Sequence, residues 1–293
     1  MEIIDAQVHT WMSDRPRRPW VASYRAQHRD TMAYLLHAGQ TNSNEMAVSE
    51  MAEVGVDRAV LTPIGVYGNS NSYEFEGAAK YPSRFRVLGW IDHLADDVEE
   101  RLAADFGRGM AGVRLAQFRD RERLERGEFD RVLAGCEKQS AVVSIMVFHP
   151  LPDIMIETIR RYEGINWVLG HLGVGVAPPV LGVLPDDPFE NLPAVLDLAR
   201  LPNMHLALTG APSLSHETFP FRDVWPGINR IVERYGPDRV MWGSDYTRCS
   251  ALHSYWDGTH YLAEVDGLAR EDLTKIYGAN LRRIYRWDEH VPN

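Results

Sequence analysis

The chain reads as a (β/α)8 barrel, on three observations. Short apolar or β-branched runs recur eight times along its length, segments of helical period separate them, and polar residues suited to chemistry end several of the runs. The runs are Ile3 to His9, Arg58 to Thr62, Phe85 to Ile91, Met110 to Leu115, Val142 to Phe148, Asn166 to His171, Met204 to Thr209 and Arg239 to Asp245. Strands alternating with amphipathic helices make βαβ units and a parallel sheet. Eight of them favour closure over an open, doubly wound sheet. No Gly-x-Gly-x-x-Gly follows the first run, which weakens a dinucleotide-binding alternative.

The intervening segments carry the helical signal. Ala47, Met51 and Val54 stand at i, i+4, i+7, with Ser43 or Asn44 as the expected cap. Val98, Leu102 and Phe106 repeat every fourth residue, and Met155, Ile159 and Tyr162 form a similar stripe. Phe129, Val132, Leu133 and Cys136 make an i, i+3, i+4, i+7 face; so do Leu192, Val195, Leu196 and Ala199, and Ile228, Ile231, Val232 and Tyr235. Residues 10–42 and 173–190 are long connections, the second rich in Gly and Pro. In a barrel these βα connections lie at the C-terminal mouth and cover the substrate.

One domain over residues 1–293 fits this pattern, slightly above the roughly 250 residues typical of such barrels; two smaller domains would also fit the length alone. A formal net charge of -10 speaks against nucleic acid as the main partner, because phosphate binding needs a basic footprint. Two cysteines, Cys136 and Cys249, are too few for a disulfide framework. Cys136 reads as core; Cys249 lies close to the chemistry in sequence. No signal peptide is visible and no run reaches the roughly 18 apolar residues of a membrane span, so the cytoplasm is the expected address and no membrane partner is expected.

Alternation along the first strand puts Asp5, Gln7 and His9 on one face, expected to point inward, and Ile4, Ala6 and Val8 on the other, expected to meet helices. Buried polar groups need partners or a metal. His149 ends the fifth run, His171 the sixth and Asp245 the eighth, and polar residues at such strand ends read as catalytic. In Gly-Val-Arg-Leu-Ala, Gly112, Arg114 and Ala116 share a face, so Arg114 is expected near the mouth, either anchoring a substrate carboxylate or paired with Asp5 or another acid. Arg248 is a further candidate anchor. Converging arginines would focus a small anionic organic substrate on an otherwise acidic protein.

This arrangement resembles the amidohydrolase superfamily along essentially the whole chain. The segments that carry the resemblance are Gln7-Val8-His9, His149-Pro150, Gly170-His171-Leu172-Gly173 and Gly243-Ser244-Asp245, followed by the closing Ile-Tyr-Gly-Ala-Asn-Leu-Arg-Arg-Ile-Tyr. The branch resembled includes aminocarboxymuconate-semialdehyde decarboxylase, resorcylate-type decarboxylases, and lactonases for pyrone dicarboxylates and sugar acids. The resemblance implies metal ligands at His9, His149 and Asp245, with zinc as the expected divalent ion. Gln7 departs from the pattern by standing where the first ligand histidine belongs, and amides are poor zinc ligands. No lysine on the fourth strand bridges a second metal. One metal, or a metal-free site, is therefore expected. The leading functional expectation is hydrolysis of a small carboxylated lactone, ester or amide, with Asp245 as general base, His171 orienting or polarising the carbonyl, and Arg114, Arg248 and Gln7 contacting the substrate. Metal-dependent decarboxylation of an aromatic or semialdehyde acid is the alternative, and a non-catalytic anion-binding barrel a third. Barrels of this kind often associate, so a homo-oligomer is compatible with the sequence.

Overall fold

The computed structural model describes residues 1–116, 118, 120–146, 153–174, 184 and 186–288. Eight parallel strands follow one another in chain order around a barrel: β1 (Ile4–Val8), β2 (Arg58–Leu61), β3 (Phe85–Gly89), β4 (Met110–Leu115), β5 (Val142–Ile145), β6 (Asn166–Leu169), β7 (Met204–Ala207) and β8 (Val240–Met241). The barrel closes where the Ala6 N–H donates to the Trp242 carbonyl at 3.3 Å. All eight predicted strands are present, and the predicted helices lie between them.

The helices form where periodicity and capping agree. Asn44–Val54 starts at Ser43, whose hydroxyl accepts the Met46 N–H, and ends at Gly55 in the left-handed region with φ 80°. Its buried residues include Ala47 and Met51, the predicted stripe. Phe129, Val132, Leu133, Cys136, Ile228, Ile231 and Val232 likewise join the apolar layer between barrel and helices. The connection 10–42 is more ordered than its composition suggests, holding the helices Ala22–His28 and Met32–Gly39.

The barrel interior is a separate core. Val60, Leu88, Ala111, Val142, Val168, Ala207 and Met241, one from each of seven strands, meet Ile4 and Ala6 of the first. Leu281, Ile284, Tyr285 and Trp287 near the chain's end pack into the same cluster. Arg86 on β3 donates to the Tyr285 carbonyl at 3.1 Å. The closing segment therefore plugs the barrel at the end away from the strand termini that carry the site.

The simple alternation expected for β1 is overturned. Ile4 and Ala6 face the barrel interior, whereas Val8 packs in the helix-facing layer. The pairing of β1 with β2 shifts register between Asp5 and Val8, and the Gln7 N–H folds back onto Asp5 Oδ1 at 3.0 Å. Such an irregularity moves the following side chains to the other face. Asp5 thus leaves the Gln7–His9 pair and accepts hydrogen bonds from Ser244 and from Tyr255 Oη. A similar shift occurs in β4 opposite Val87 and Leu88. There a Cβ on Gly112 would lie 2.1 Å from the Val142 carbonyl oxygen, so only glycine fits between β4 and β5.

Candidate active site

The site lies at the C-terminal ends of the strands. The predicted runs overshoot the ladder: β8 ends at Met241 and β6 at Leu169, so Asp245 and His171 stand on the turns that follow. Both residues adopt φ 51°, in the left-handed region that costs a non-glycine residue energy. From these turns both side chains reach Gln7 of β1.

Gln7 is the hub. Its Nε2 lies 3.0 Å from Asp245 Oδ1, 3.2 Å from His9 Nε2 and 3.4 Å from His171 Nε2. Its Oε1 accepts from Arg114 Nη1 at 3.1 Å, which fixes the amide orientation. His9 Nδ1 lies 2.6 Å from the Thr62 carbonyl oxygen, an acceptor only, so Nδ1 carries the proton and Nε2 a lone pair. His9 Nε2 and Asp245 Oδ1 are 3.2 Å apart.

Burial sets the charges. It drives His9 below its ordinary value, with Arg248 and Arg114 pushing the same way against Asp245, and takes His171 down to about 4. Both imidazoles are neutral near pH 7. Burial opposes the charge on Asp245. Against it, a hydrogen bond and charge from His9 and charge from His171, both protonated at the low pH where the carboxyl would titrate, together with the charge of Arg248, hold it below the usual range. Arg114 is lowered to about 10, first by burial and then by the charge of Arg248.

These facts leave acceptors in excess. The two amide protons of Gln7 serve three lone-pair-bearing atoms, and two of those, on His9 and Asp245, face each other. Imidazole nitrogen and carboxylate oxygen are donors that zinc accepts, so the pair fits a cation. Among the described residues, no three His, Cys, Asp or Glu side chains form a complete metal-binding group. His149, the remaining expected ligand, lies outside the described residues.

Arg114 pairs with neither Asp5 nor any other carboxylate among the described residues; besides Gln7 it reaches Met146 Sδ at 2.8 Å. It also lines a cavity of 370 Å³ at the ends of β3 and β4, with Trp90, His93 and Arg123. Sequence reading passed over His93 and Arg123, because neither ends a strand. Arg248 is partly exposed and its charge acts on His9, His171, Arg114 and Asp245. Cys249 is buried near Asp245 with its thiol pushed up by burial, which speaks for a packed rather than a reactive group. Several buried polar atoms around this end have no hydrogen-bond partner among the described residues: the hydroxyls of Thr10, Thr62 and Thr247, His37 Nε2 and Arg248 Nε. Orphans of this kind mark places where a ligand completes the bonding.

A family model described as Amidohydrolase matches residues 4–287. The chain belongs to the amidohydrolase family. Among its relatives, a 4-sulfomuconolactone hydrolase from Hydrogenophaga intermedia is 29% identical over 205 residues, covering 69% of this chain. The alignment spans 64% of that relative's length. An L-fucono-1,5-lactonase from Burkholderia multivorans (strain ATCC 17616 / 249) is 25% identical over 304 residues, covering 98% of this chain and 96% of that one. A solved amidohydrolase from Burkholderia multivorans with bound zinc superimposes with a TM-score of 0.77 at 19% identity, covering 98% of this chain and 99% of the other. The amidohydrolase assignment agrees with the barrel and with the strand-end positions of His9, His171 and Asp245. Among the described residues, no helix of this amidohydrolase is long and apolar enough to cross a membrane.

Proposed function

We propose that this protein hydrolyses a small carboxylated lactone. The observation that carries the reading is the meeting of an ionised Asp245 with neutral His9 and His171 around the Gln7 amide, beside Arg114 and Arg248, neither of which has a carboxylate within ion-pair distance among the described residues. The lactonase names of the relatives support it.

Asp245 takes a proton from water as the water oxygen attacks the lactone carbonyl. His171 orients and polarises that carbonyl. When the ring C–O bond breaks, Asp245 returns the proton to the departing alkoxide, and the product is a hydroxy acid. Arg114 and Arg248 hold the substrate's carboxylate, and Gln7, fixed by Arg114, keeps the Asp245 carboxylate aimed. A zinc ion held by His9, His149 and Asp245 would supply Lewis-acid polarisation of the carbonyl.

The test is turnover of a panel of carboxylated five- and six-membered lactones by zinc-supplemented protein, followed by NMR. Hydroxy-acid formation is expected. Release of CO2 from an aromatic or semialdehyde acid, with no lactone opened, would replace the hydrolase by a decarboxylase. Ligand binding without any turnover, unchanged in Asp245→Asn, would leave a binding barrel.

A further inference from the structure

Within the connection 10–42, His37 is buried at 1% exposure, and its Nε2 has no hydrogen-bond partner among the described residues. Its other nitrogen, Nδ1, lies 2.5 Å from Tyr24 Oη. The backbone around it is held as well: the Trp11 indole N–H donates to the His37 carbonyl at 3.0 Å and to that of Gln40 at 2.9 Å. The Trp11 ring packs edge-on against the imidazole, centroids 4.8 Å apart. A histidine seated this firmly on a connecting helix is not a solvated surface residue.

Proton bookkeeping fixes its tautomer. Burial raises the Tyr24 phenol to about 12, so it keeps its proton at neutral pH. His37 Nδ1 is the hydrogen-bond partner of that hydroxyl among the described residues. If Nδ1 carried the proton, the phenolic proton would be stranded in the interior. Tyr24 therefore donates to Nδ1, and Nε2–H of His37 is a buried donor with nothing to donate to. Burial also keeps His37 neutral near pH 7, its value lowered to about 2.

Its surroundings say what is missing. Arg248 exerts the strongest charge on both His37 and Tyr24, and His9 and Asp245 act on His37 as well. The β1 connection and the turn after β8 also touch: Tyr246 Oη donates to Asn42 Oδ1 at 3.5 Å, and Asn42 Nδ2 donates to the His9 carbonyl at 2.5 Å. Arg248 Nε is a second buried donor without a partner among the described residues. Two unpartnered donors, one on a cation, lack an acceptor oxygen.

We propose that His37 is a substrate-recognition residue, its Nε2–H donating to the same substrate carboxylate that Arg248 binds, with Tyr24 as the positioning residue that fixes its tautomer. Both nitrogens are shut off from water here, so neither finds its acceptor in solvent. The inference rests on the lactone reading for the identity of the substrate, but recognition of the carboxylate can be read without turnover.

Calorimetric titration of the protein as purified with tetrahydrofuran-2-carboxylate and with its methyl ester provides the test. His37→Leu is expected to weaken binding of the acid about 10- to 100-fold, the range for a hydrogen bond to a charged group, and to leave the ester unchanged. His37→Gln, which restores an N–H near Nε2, should recover the acid to within about threefold, and Tyr24→Phe should weaken the acid a few-fold while sparing the ester. Equal loss for acid and ester would reduce His37 to packing and overturn the proposal, as would unchanged acid binding or a wild-type protein that does not prefer the acid. If His37→Leu does not fold, the acid-to-ester ratio in Tyr24→Phe decides, and a ratio equal to wild type overturns it. Failure of lactone turnover with this charge selectivity intact would remove the proposed reaction and leave the recognition site standing.

Discussion

His9 Nε2 and Asp245 Oδ1 face each other across 3.2 Å, a neutral nitrogen lone pair against a carboxylate oxygen. Gln7 supplies two N–H groups to this gap and its neighbours, fewer than the three acceptors that face them. A cation satisfies both atoms at once. Zinc added to chelator-treated protein should raise the urea midpoint, by about 2.7 kcal/mol of stability at a hundredfold excess over Kd. His9→Ala should abolish the response. Equal midpoints with and without zinc in wild type would rule the cation out.

Replacing the hub tests the same network from another side. Gln7→Leu removes the donor shared by Asp245, His9 and His171 and the acceptor of Arg114. A loss of about 1–3 kcal/mol is expected from urea denaturation, because buried groups are left unsatisfied. A variant as stable as wild type would show that the amide contributes nothing.

Asp5 acts from outside the reacting centre. Burial raises its carboxyl to about 6, and it accepts from the Ser244 N–H at 2.9 Å, from the Ser244 hydroxyl, from Tyr255 Oη at 3.0 Å and from the Gln7 N–H at 3.0 Å. It therefore ties β1 to the turn that presents Asp245. Asp5→Asn places N–H groups against those donors and should cost roughly 3 kcal/mol while lowering kcat, with both effects measured on one preparation. Lost stability with kcat intact would confine Asp5 to a scaffold role.

The fold was legible because its signals are local. Alternating periods set strands and helices, and the run ends pointed to His9, His171 and Asp245, which the structure brings together around Gln7. The register shift in β1 was not legible: it depends on Asp5 being captured by Ser244 and Tyr255, contacts that exist only once β1 and β8 are neighbours. Tyr24 and His37 were hidden for a similar reason. Nothing in their spacing says that residues 10–42 fold back as two helices that pair Tyr24 with His37.

Glu74 and His205 set opposite arms of the pH–stability profile. Glu74 is buried, its Oε2 has no partner among the described residues, and burial pushes its carboxyl up to about 8 from an ordinary 4.5. Between those values the unfolded chain releases a proton that the folded chain keeps, so stability falls as pH rises through the window. The difference is on the order of 5 kcal/mol. Glu74→Gln should gain on wild type by most of that amount between pH 5 and pH 8 in urea titrations. His205 is lowered by burial to about 4 from 6.5, so its contribution is present above pH 6.5 and lost as pH falls toward 4. Parallel profiles for Glu74→Gln and wild type would show that this carboxyl titrates normally.

The most direct test of the reacting centre is kcat for opening of a carboxylated lactone by Asp245→Asn, beside wild type with the same metal content. The substitution keeps the size of the side chain but removes the proposed base for water's proton, so kcat should fall by about 10²- to 10⁴-fold while the protein stays folded. Turnover within threefold of wild type would contradict the account.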